Sequence, residues 1–149
     1  MTTSPPLNEF LECARREYRF LIDDFGFAET PQSHNPYEVD YMSDSLLVAV
    51  EGINWGFAVQ ILFAPLRSGA ALRRDAVPLW AIAQLRCPQE LEQSHRVSGQ
   101  LALLACYARM LRLCASDVLR GDFTIFPAAL DVIAHEAARS REPKKPFLP

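Results

Sequence analysis

The sequence predicts a single α+β domain over residues 1–149: an N-terminal helix, a three-stranded antiparallel meander, and a helical C-terminal half packed on the sheet. Three observations lead to this prediction. Helical periodicity fills residues 7–25, strand periodicity fills residues 37–63, and helical periodicity returns at residues 97–137. With 149 residues, half of them apolar and 22% charged, the chain can bury a sizeable core.

The first helix is predicted from about Pro6 to Phe25. Its apolar side chains recur at alternating steps of four and three, as one face of a helix requires. Gly26 suits the C-terminal end of this helix. Residues 28–36 contain two prolines and several turn formers, so a loop is expected there. The helical stripe consists of Leu7, Leu11, Ala14, Tyr18, Leu21 and Phe25.

The meander consists of three runs, at residues 37–42, 46–51 and 57–63, in which apolar residues alternate with others. The turns between the runs are short enough to require antiparallel hairpins. Nine large apolar residues are then expected on the face of the sheet that meets the core. These residues are Tyr37, Val39, Tyr41, Leu46, Val48, Val50, Phe57, Val59 and Ile61.

Tight turns also predict a register for each hairpin. In the first hairpin we expect Tyr41 to lie opposite Leu46. In the second we expect Glu51 to lie opposite Gly56. A slip of one residue in either hairpin would move the large apolar side chains of one strand to the other face, so the two turns support each other.

The opposite face of the meander is expected to meet water. It carries Glu38, Asp40, Glu51 and Gln60 among small or aliphatic residues. Residues 20–66 contain seven acidic residues and no Lys or Arg, so this segment is formally −7. The rest of the chain is therefore +4, because the whole chain carries −3. Such asymmetry creates a local field that the net charge conceals.

The segment Ala76–Arg86 is ambiguous between a short helix and an edge strand. Pro78, which suits a first helical position, and the alanines favour the helix. Pro88 and a polar run to Gln93 lead into a long helix that should end near Gly121. Apolar residues occupy two sides of this helix, so it is expected to pack centrally between other elements.

The last helix is expected to open at Pro127, after a tight loop that starts at Gly121. The tail, residues 141–149, is rich in Pro and Lys and is expected to be flexible. No apolar run approaches the length of a membrane span, and the first six residues lack the features of a signal peptide. We therefore expect a cytoplasmic protein.

The familiar catalytic motifs are missing from this sequence. It has no P-loop, no dinucleotide-binding glycine pattern and no G-x-S-x-G. The adjacent acids Asp23 and Asp24 are better explained as solvated side chains than as a catalytic pair, because neither has a neighbouring His or Lys. The long stretch without cations also disfavours binding to nucleic acid. The sequence thus gives no reason to expect an enzyme.

Neither a metal nor a cofactor is expected. The histidines His34, His95 and His135 share no ligand spacing with one another. The four cysteines lack the close pairs of a zinc or redox site, so they are expected to be small apolar residues of the core or its boundary. They are Cys13, Cys87, Cys106 and Cys114.

The acidic segment suggests a protein-binding surface. Trp55 lies in the second turn between two glycines, and Trp is enriched at interface centres. A basic protein is therefore the expected partner, with no nucleic acid and no membrane involved. The alternative is a solvated acidic face, with Trp55 folded onto the sheet edge. The predicted binding residues are Glu38, Asp40, Asp44, Glu51 and Trp55.

Three segments of the chain carry a resemblance to a known class of proteins. They resemble the small cytoplasmic immunity proteins of bacterial polymorphic toxin systems and their uncharacterised relatives. In such families a leading helix ends in an F-G-F-like turn, an antiparallel sheet follows, and a Gly-Asp-Phe loop precedes the last helix. The segments are Phe20-Leu21-Ile22-Asp23-Asp24-Phe25-Gly26-Phe27, Tyr41-Met42-Ser43-Asp44-Ser45-Leu46-Leu47-Val48-Ala49-Val50, and Leu119-Arg120-Gly121-Asp122-Phe123.

What the resemblance implies is neutralisation of a toxin by binding, without catalysis and without catalytic residues. A small acidic secretion chaperone that holds an effector is the alternative, because such proteins have a similar size, pI and α+β composition. A hydrolase with residues distant in sequence is the second alternative. Secretion chaperones usually dimerise, whereas the immunity reading favours a monomer.

Overall fold

The N-terminal helical region is two helices rather than one. The computed structural model describes residues 5–31, 35–53, 58–67, 69–71 and 75–141. Helix α1 spans Leu7–Glu17, and one further turn, α2, spans Phe20–Asp23. Between them the N–H of Leu21 donates to the carbonyl of Tyr18, three residues back instead of four. The prediction of one continuous helix from Pro6 to Phe25 is therefore wrong, although the helical region ends before Gly26, which adopts φ +74°.

The described residues contain six strands, arranged in one antiparallel sheet. The order is β1-β2-β3-β4-β5, and β6 also pairs with β4. The predicted meander corresponds to β2, β3 and β4, so three strands was an underestimate. Strands β5 and β6 share the edge of β4 that β3 leaves unpaired. The strands are β1 (Ala28–Glu29), β2 (Glu38–Met42), β3 (Leu46–Ile53), β4 (Ala58–Arg67), β5 (Ala70–Ala71) and β6 (Val77–Pro78).

The first hairpin has a different register from the predicted one. Tyr41 lies opposite Val48, not opposite Leu46. The cause is the turn, in which the Ser43 hydroxyl oxygen accepts hydrogen bonds from the N–H groups of Ser45 and Leu46, at 3.2 and 3.1 Å. Ser43 thereby caps the turn, as Ser does in local side-chain turns. The register shifts by two residues as a result.

The second hairpin differs by four residues. Strand β3 does not turn at Gly52 but continues to Ile53, which pairs with Ala58, and Glu51 pairs with Gln60. The predicted partner of Glu51, Gly56, lies outside the described residues. Both shifts are even numbers, and the side-chain period of a strand is two. Every described residue of these strands therefore stays on its predicted face although its cross-strand partner is wrong.

The core lies between the sheet and the helices. Of the nine residues predicted on the core face, seven are buried, Tyr37 is half-buried, and Phe57 lies outside the described residues. Residues of α1, α2 and the C-terminal helices, including Phe10, Leu21 and Leu104, belong to the same apolar cluster. The prediction of a core face on the meander is confirmed. The seven buried residues are Val39, Tyr41, Leu46, Val48, Val50, Val59 and Ile61.

The ambiguous segment Ala76–Arg86 is both strand and helix. Val77 and Pro78 form β6, and Leu79–Arg86 forms α3, with Pro78 as its N-cap residue. Proline lacks an N–H, so it is suited to an edge strand and to the start of a helix. The residues from Pro88 to Ser94 form a separate helix, α4.

The long helix ends earlier than Gly121. Helix α5 spans Gln100–Cys114, and Ala115, at φ −131° and ψ 20°, separates it from the short α6, Ser116–Leu119. Helix α5 contacts α1, α3, α4 and β4, which confirms the central position that its two apolar sides predicted. Helix α7 spans Phe126–Arg141 and so begins one residue before Pro127. Beyond Arg141 the predicted flexible tail lies outside the described residues.

Nothing in the described helices suggests a membrane span. None of them is both long and apolar enough to cross a bilayer.

Candidate functional site

The sheet brings together acidic residues that are far apart in the sequence. Glu38 of β2 lies directly opposite Glu51 of β3, and Glu51 lies opposite Gln60 of β4. Asp40 is two residues after Glu38 on the same strand, so it points to the same side of the sheet. Three of the predicted binding residues therefore share one face. We call Glu38, Asp40 and Glu51 the acidic face.

The members of the predicted site differ in accessibility. Glu38 is only 4% exposed, whereas Asp40 and Glu51 are half-buried. Asp44 is exposed in the turn between β2 and β3. Trp55, the predicted apolar anchor, lies outside the described residues. Asp44, Asp40 and Glu51 are thus the described members of the site that a partner can reach.

The expectation that this side of the sheet meets water is wrong for its centre. Leu47 is 6% exposed and Ala49 is 2% exposed, although both point away from the core cluster. Ala64 of β4 is buried beside them, because it pairs with Leu47. The accessible acids therefore border a buried apolar centre, which the alternation of residue types in the sequence did not reveal.

Cations from outside the acidic segment offset part of its charge. Arg15 of α1 forms an ion pair with Glu29 at 2.9 Å, and Arg19 forms one with Asp23 at 3.3 Å. Glu38, Asp40 and Glu51 each also make at least one polar or electrostatic interaction within the chain. The formal charge of −7 for residues 20–66 therefore overstates the local field, because tertiary contacts supply positive charge that the sequence segment lacks.

A small cavity adjoins the acidic face at the edge of the sheet. Its volume is about 140 Å³, and Arg15, Glu29, Glu38 and Asp40 are among the residues that line it. A cavity of this size holds roughly a few water molecules or one side-chain head group. Three carboxylates and one guanidinium are among the groups that line it, and the guanidinium of Arg15 is paired with Glu29.

A second, larger site lies at the junction of α3 and α4. This groove, which we call the α4–α5 groove, has a volume of about 600 Å³ and lies against the end of α5. Arg86 and Asp117 form an ion pair at its wall, with Arg86 Nη1 2.6 Å from Asp117 Oδ1. These hydrogen bonds hold the pKa of Asp117 below its usual value. Sequence reasoning missed this site, since Arg86 and Asp117 are distant and belong to no motif.

Two cysteines also line the α4–α5 groove. They are Cys87 and Cys114, and the thiol of Cys114 donates a hydrogen bond to the carbonyl of Met110 at 3.0 Å. Cys13, Cys87 and Cys114 are buried and Cys106 is half-buried, which confirms the prediction that the cysteines belong to the core or its boundary. The spacing of Cys87 and Cys114 in the sequence gave no sign that both line one groove.

The two histidines that the structure describes take no part in either site. His95 and His135 are exposed, and neither lines the α4–α5 groove or the small cavity. His34 lies outside the described residues. In the part of the chain that the structure describes, no group of three or more His, Cys, Asp or Glu side chains is arranged to hold a metal ion.

No protein-family model matches this sequence, and comparisons with curated proteins and with solved structures returned no match.

Proposed function

We propose that this chain is a non-catalytic protein-binding domain that neutralises a basic partner, in the manner of an immunity protein of a bacterial polymorphic toxin system. The observation that carries the proposal is the pairing of Glu38 with Glu51 across two neighbouring strands, with Asp40 on the same face. Asp40 and Glu51 stay accessible on that face, and the exposed Asp44 adds a carboxylate in the adjoining turn. Together these acids give the surface a negative potential, which favours a cationic partner.

The members of the acidic face have different proposed roles. Asp40, Glu51 and the exposed Asp44 contact or attract the partner. Glu38 is buried, so it acts through the field that it adds to Glu51 rather than by contact. Trp55 stays in the proposal as the apolar anchor, because it belongs to the connection between β3 and β4, the hairpin that carries Glu51.

The order of elements also supports the proposal. A helical region that ends before Phe25-Gly26-Phe27 precedes the antiparallel sheet, and residues 121–123 precede the last helix, α7. This is the order that the resemblance to immunity proteins implies. The proposed action takes place in the cytoplasm, where such proteins meet their toxins, and it requires neither a metal nor a cofactor.

The test uses the neighbouring reading frame, where an immunity protein should have a large secreted toxin encoded beside it. The C-terminal domain of that toxin is expressed in a bacterial host with and without this chain. We expect growth arrest without the chain and recovery with it. Asp40→Asn/Glu51→Gln should weaken the rescue, whereas Asp131→Asn, at an exposed position of α7, should not.

The outcomes separate the proposal from its alternatives. Equal growth arrest in the presence and absence of a folded wild-type chain contradicts the immunity function. Light scattering adds a second criterion, because a monomer agrees with an immunity protein and an obligate dimer favours the secretion chaperone.

A further inference from the structure

Two arginines of the α5–α6 region lie over two phenylalanines from α2 and the turn after it. The Cζ atom of Arg112 is 4.1 Å from the centre of the Phe20 ring, and that of Arg120 is 5.3 Å from the centre of the Phe25 ring. The two rings contact each other edge to face, with centroids 6.2 Å apart. We call these four residues the Arg–Phe surface. It contains no residue of the acidic face, so the inference drawn from it is independent of the proposed function.

The backbone fixes the positions of the two arginines relative to each other. Arg112 belongs to α5, and Arg120 is the residue after α6. The hydroxyl of Ser116 donates to the carbonyl of Arg112 at 2.7 Å, and the ion pair between Arg86 and Asp117 holds α6 beside the end of α5. The two rings beneath the arginines pack in the apolar cluster of the core. Both cations therefore lie on a well-packed base.

The guanidinium groups of this surface keep their hydrogen-bonding capacity. Arg112 and Arg120 are exposed, and in the part of the chain that the structure describes neither forms an ion pair. In contrast, Arg15, Arg19 and Arg86 are each paired with a carboxylate. A guanidinium that stacks on an aromatic ring keeps its N–H donors, because they point outward in its own plane. Two sets of donors are thus available to an anion.

The surroundings favour carboxylates of a protein over the phosphates of a nucleic acid. A guanidinium binds a carboxylate through two parallel hydrogen bonds. Asp23 and Asp24 are exposed on and just after α2, and Asp23 is already paired with Arg19. These acids and the rest of the acidic segment would repel a chain that carries a phosphate at every nucleotide. A protein segment with two well-placed carboxylates needs to meet only the two guanidiniums.

We propose that the Arg–Phe surface binds an acidic segment of a protein, with one side-chain carboxylate paired to Arg112 and another paired to Arg120. The rings restrict both guanidiniums before binding, so less side-chain freedom is lost when the carboxylates pair with them. Because both pairs form at exposed positions, each contributes only modestly, and the affinity for a short peptide is low.

The probe is a capped peptide of six glutamates, which is titrated into isotope-labelled protein at low salt. The side-chain Nε–H signals in the NMR spectrum report on each arginine separately, and Arg112→Lys and Arg120→Lys assign the two signals. We expect saturable shifts of both signals. The signal of Arg96, an exposed arginine in the connection before α5, should not shift. A capped peptide of six lysines should shift neither of the two signals.

Variants test whether the guanidiniums and the rings act together. Arg112→Gln and Arg120→Gln should each weaken binding of the glutamate peptide by about two- to fivefold. Arg96→Gln removes the same charge elsewhere and should change binding little. Phe25→Leu removes the ring beneath Arg120 but keeps every charge, and it should weaken binding by about twofold. If Phe25→Leu does not fold, Arg112→Lys gives the same test, because it keeps the charge and loses the planar fork.

Three results overturn the proposal. The peptide shifts the signals of all exposed arginines alike, so that net charge alone attracts it. It shifts neither the signal of Arg112 nor that of Arg120. An oligonucleotide of six thymidines binds the Arg–Phe surface more tightly than the peptide at equal ionic strength, so that the surface favours nucleic acid. No toxin domain is used, so each of these results leaves the proposed function to its own test.

Discussion

Arg86 and Asp117 form a two-point ion pair between the end of α3 and α6, with N to O distances of 2.6 and 2.8 Å. Arg86 also donates to the carbonyl of Cys114, which is one of the terminal carbonyls that α5 cannot satisfy itself. The Arg86 side chain thus supplies a hydrogen-bond donor to the C-terminal end of α5 and also holds α6, which follows α5. Fork-like pairing of this kind is stronger than a single contact between exposed charges.

Replacement of Asp117 by Asn should therefore destabilise the protein, by about 1–2 kcal/mol at neutral pH. The hydrogen bonds from Arg86 lower the pKa of Asp117 in the folded state, so its contribution is complete above the unfolded value of about 3.9. The contribution is lost as the pH falls through the lower, folded pKa. The free energies of unfolding of wild type and Asp117→Asn should therefore converge below about pH 4.

The matched control is Glu136→Gln on α7. Glu136 and Arg139 share one exposed contact of 3.2 Å, which should contribute less than about 0.5 kcal/mol. The free energy of unfolding of both variants is measured with urea. Equal losses would show that the Arg86–Asp117 pair stabilises the fold no more than an exposed ion pair does.

Gly52 of β3 lies too close to its neighbours to carry a side chain. A Cβ atom there would be 2.6 Å from Nε2 of Gln100 and 3.1 Å from Cβ of Tyr37. Gln100 is 2% exposed and donates to the carbonyl of Ala58 at 3.0 Å, so it cannot move without loss of that bond. Gly52→Ala should cost about 1–3 kcal/mol, as an overpacked core does.

A double-mutant cycle tests the reason for this effect. Gln100→Ala removes the nearest atom, so Gly52→Ala should cost less in the Gln100→Ala background than in the wild type. Strictly additive losses in thermal unfolding would mean that Gly52 and Gln100 are not coupled.

Tyr18 connects the end of α1 to α5. Its side chain is fully buried, and its hydroxyl donates to the carbonyl of Leu104 at 3.0 Å. Tyr18→Phe should lose about 0.5–1.5 kcal/mol, because it removes a buried hydrogen bond while the Leu104 carbonyl keeps its bond within α5. The half-buried Tyr37, whose hydroxyl donates to Pro5 at 3.3 Å, is the control, and Tyr37→Phe should lose less. A larger loss for Tyr37→Phe in urea unfolding would contradict this order.

The two faces of the meander could be predicted from the sequence, but its registers could not. Val48 and Val50 are buried as expected, because a period of two marks the core face whatever the partner strand. A shift by two or four residues preserves that pattern, so the pattern cannot distinguish between such registers. The hydroxyl of Ser43 decides the first turn, and this contact is local and specific.

The candidate sites could be predicted only in part. The sequence indicated the acidic residues, but not that Glu38 is buried or that Arg15 reaches Glu29, because both facts depend on tertiary packing. Nothing in the sequence indicated the α4–α5 groove. Cys87 and Cys114 line the same groove only because α3, α4 and α5 pack together, and no periodicity in the sequence indicates such packing.

The last prediction concerns how charge controls the encounter with the proposed basic partner. Asp44 is exposed in the β2–β3 turn, so Asp44→Lys should leave the fold intact while it reverses one charge beside the acidic face. At low salt the association rate with the purified toxin domain should fall by about two- to fivefold, with little change in dissociation, because accessible charges mainly steer diffusion. At about 0.5 M salt the difference should largely disappear, since the screening length is then well under 10 Å.

Asp131→Lys on α7 is the control for net charge. It changes the charge of the protein by the same amount at another exposed position, outside the acidic segment. Surface binding kinetics at two salt concentrations should show a smaller effect for this variant than for Asp44→Lys. If both variants slow association equally, the total charge of the protein governs the encounter. The acidic face then has no local role in steering, and the partner binds at another surface.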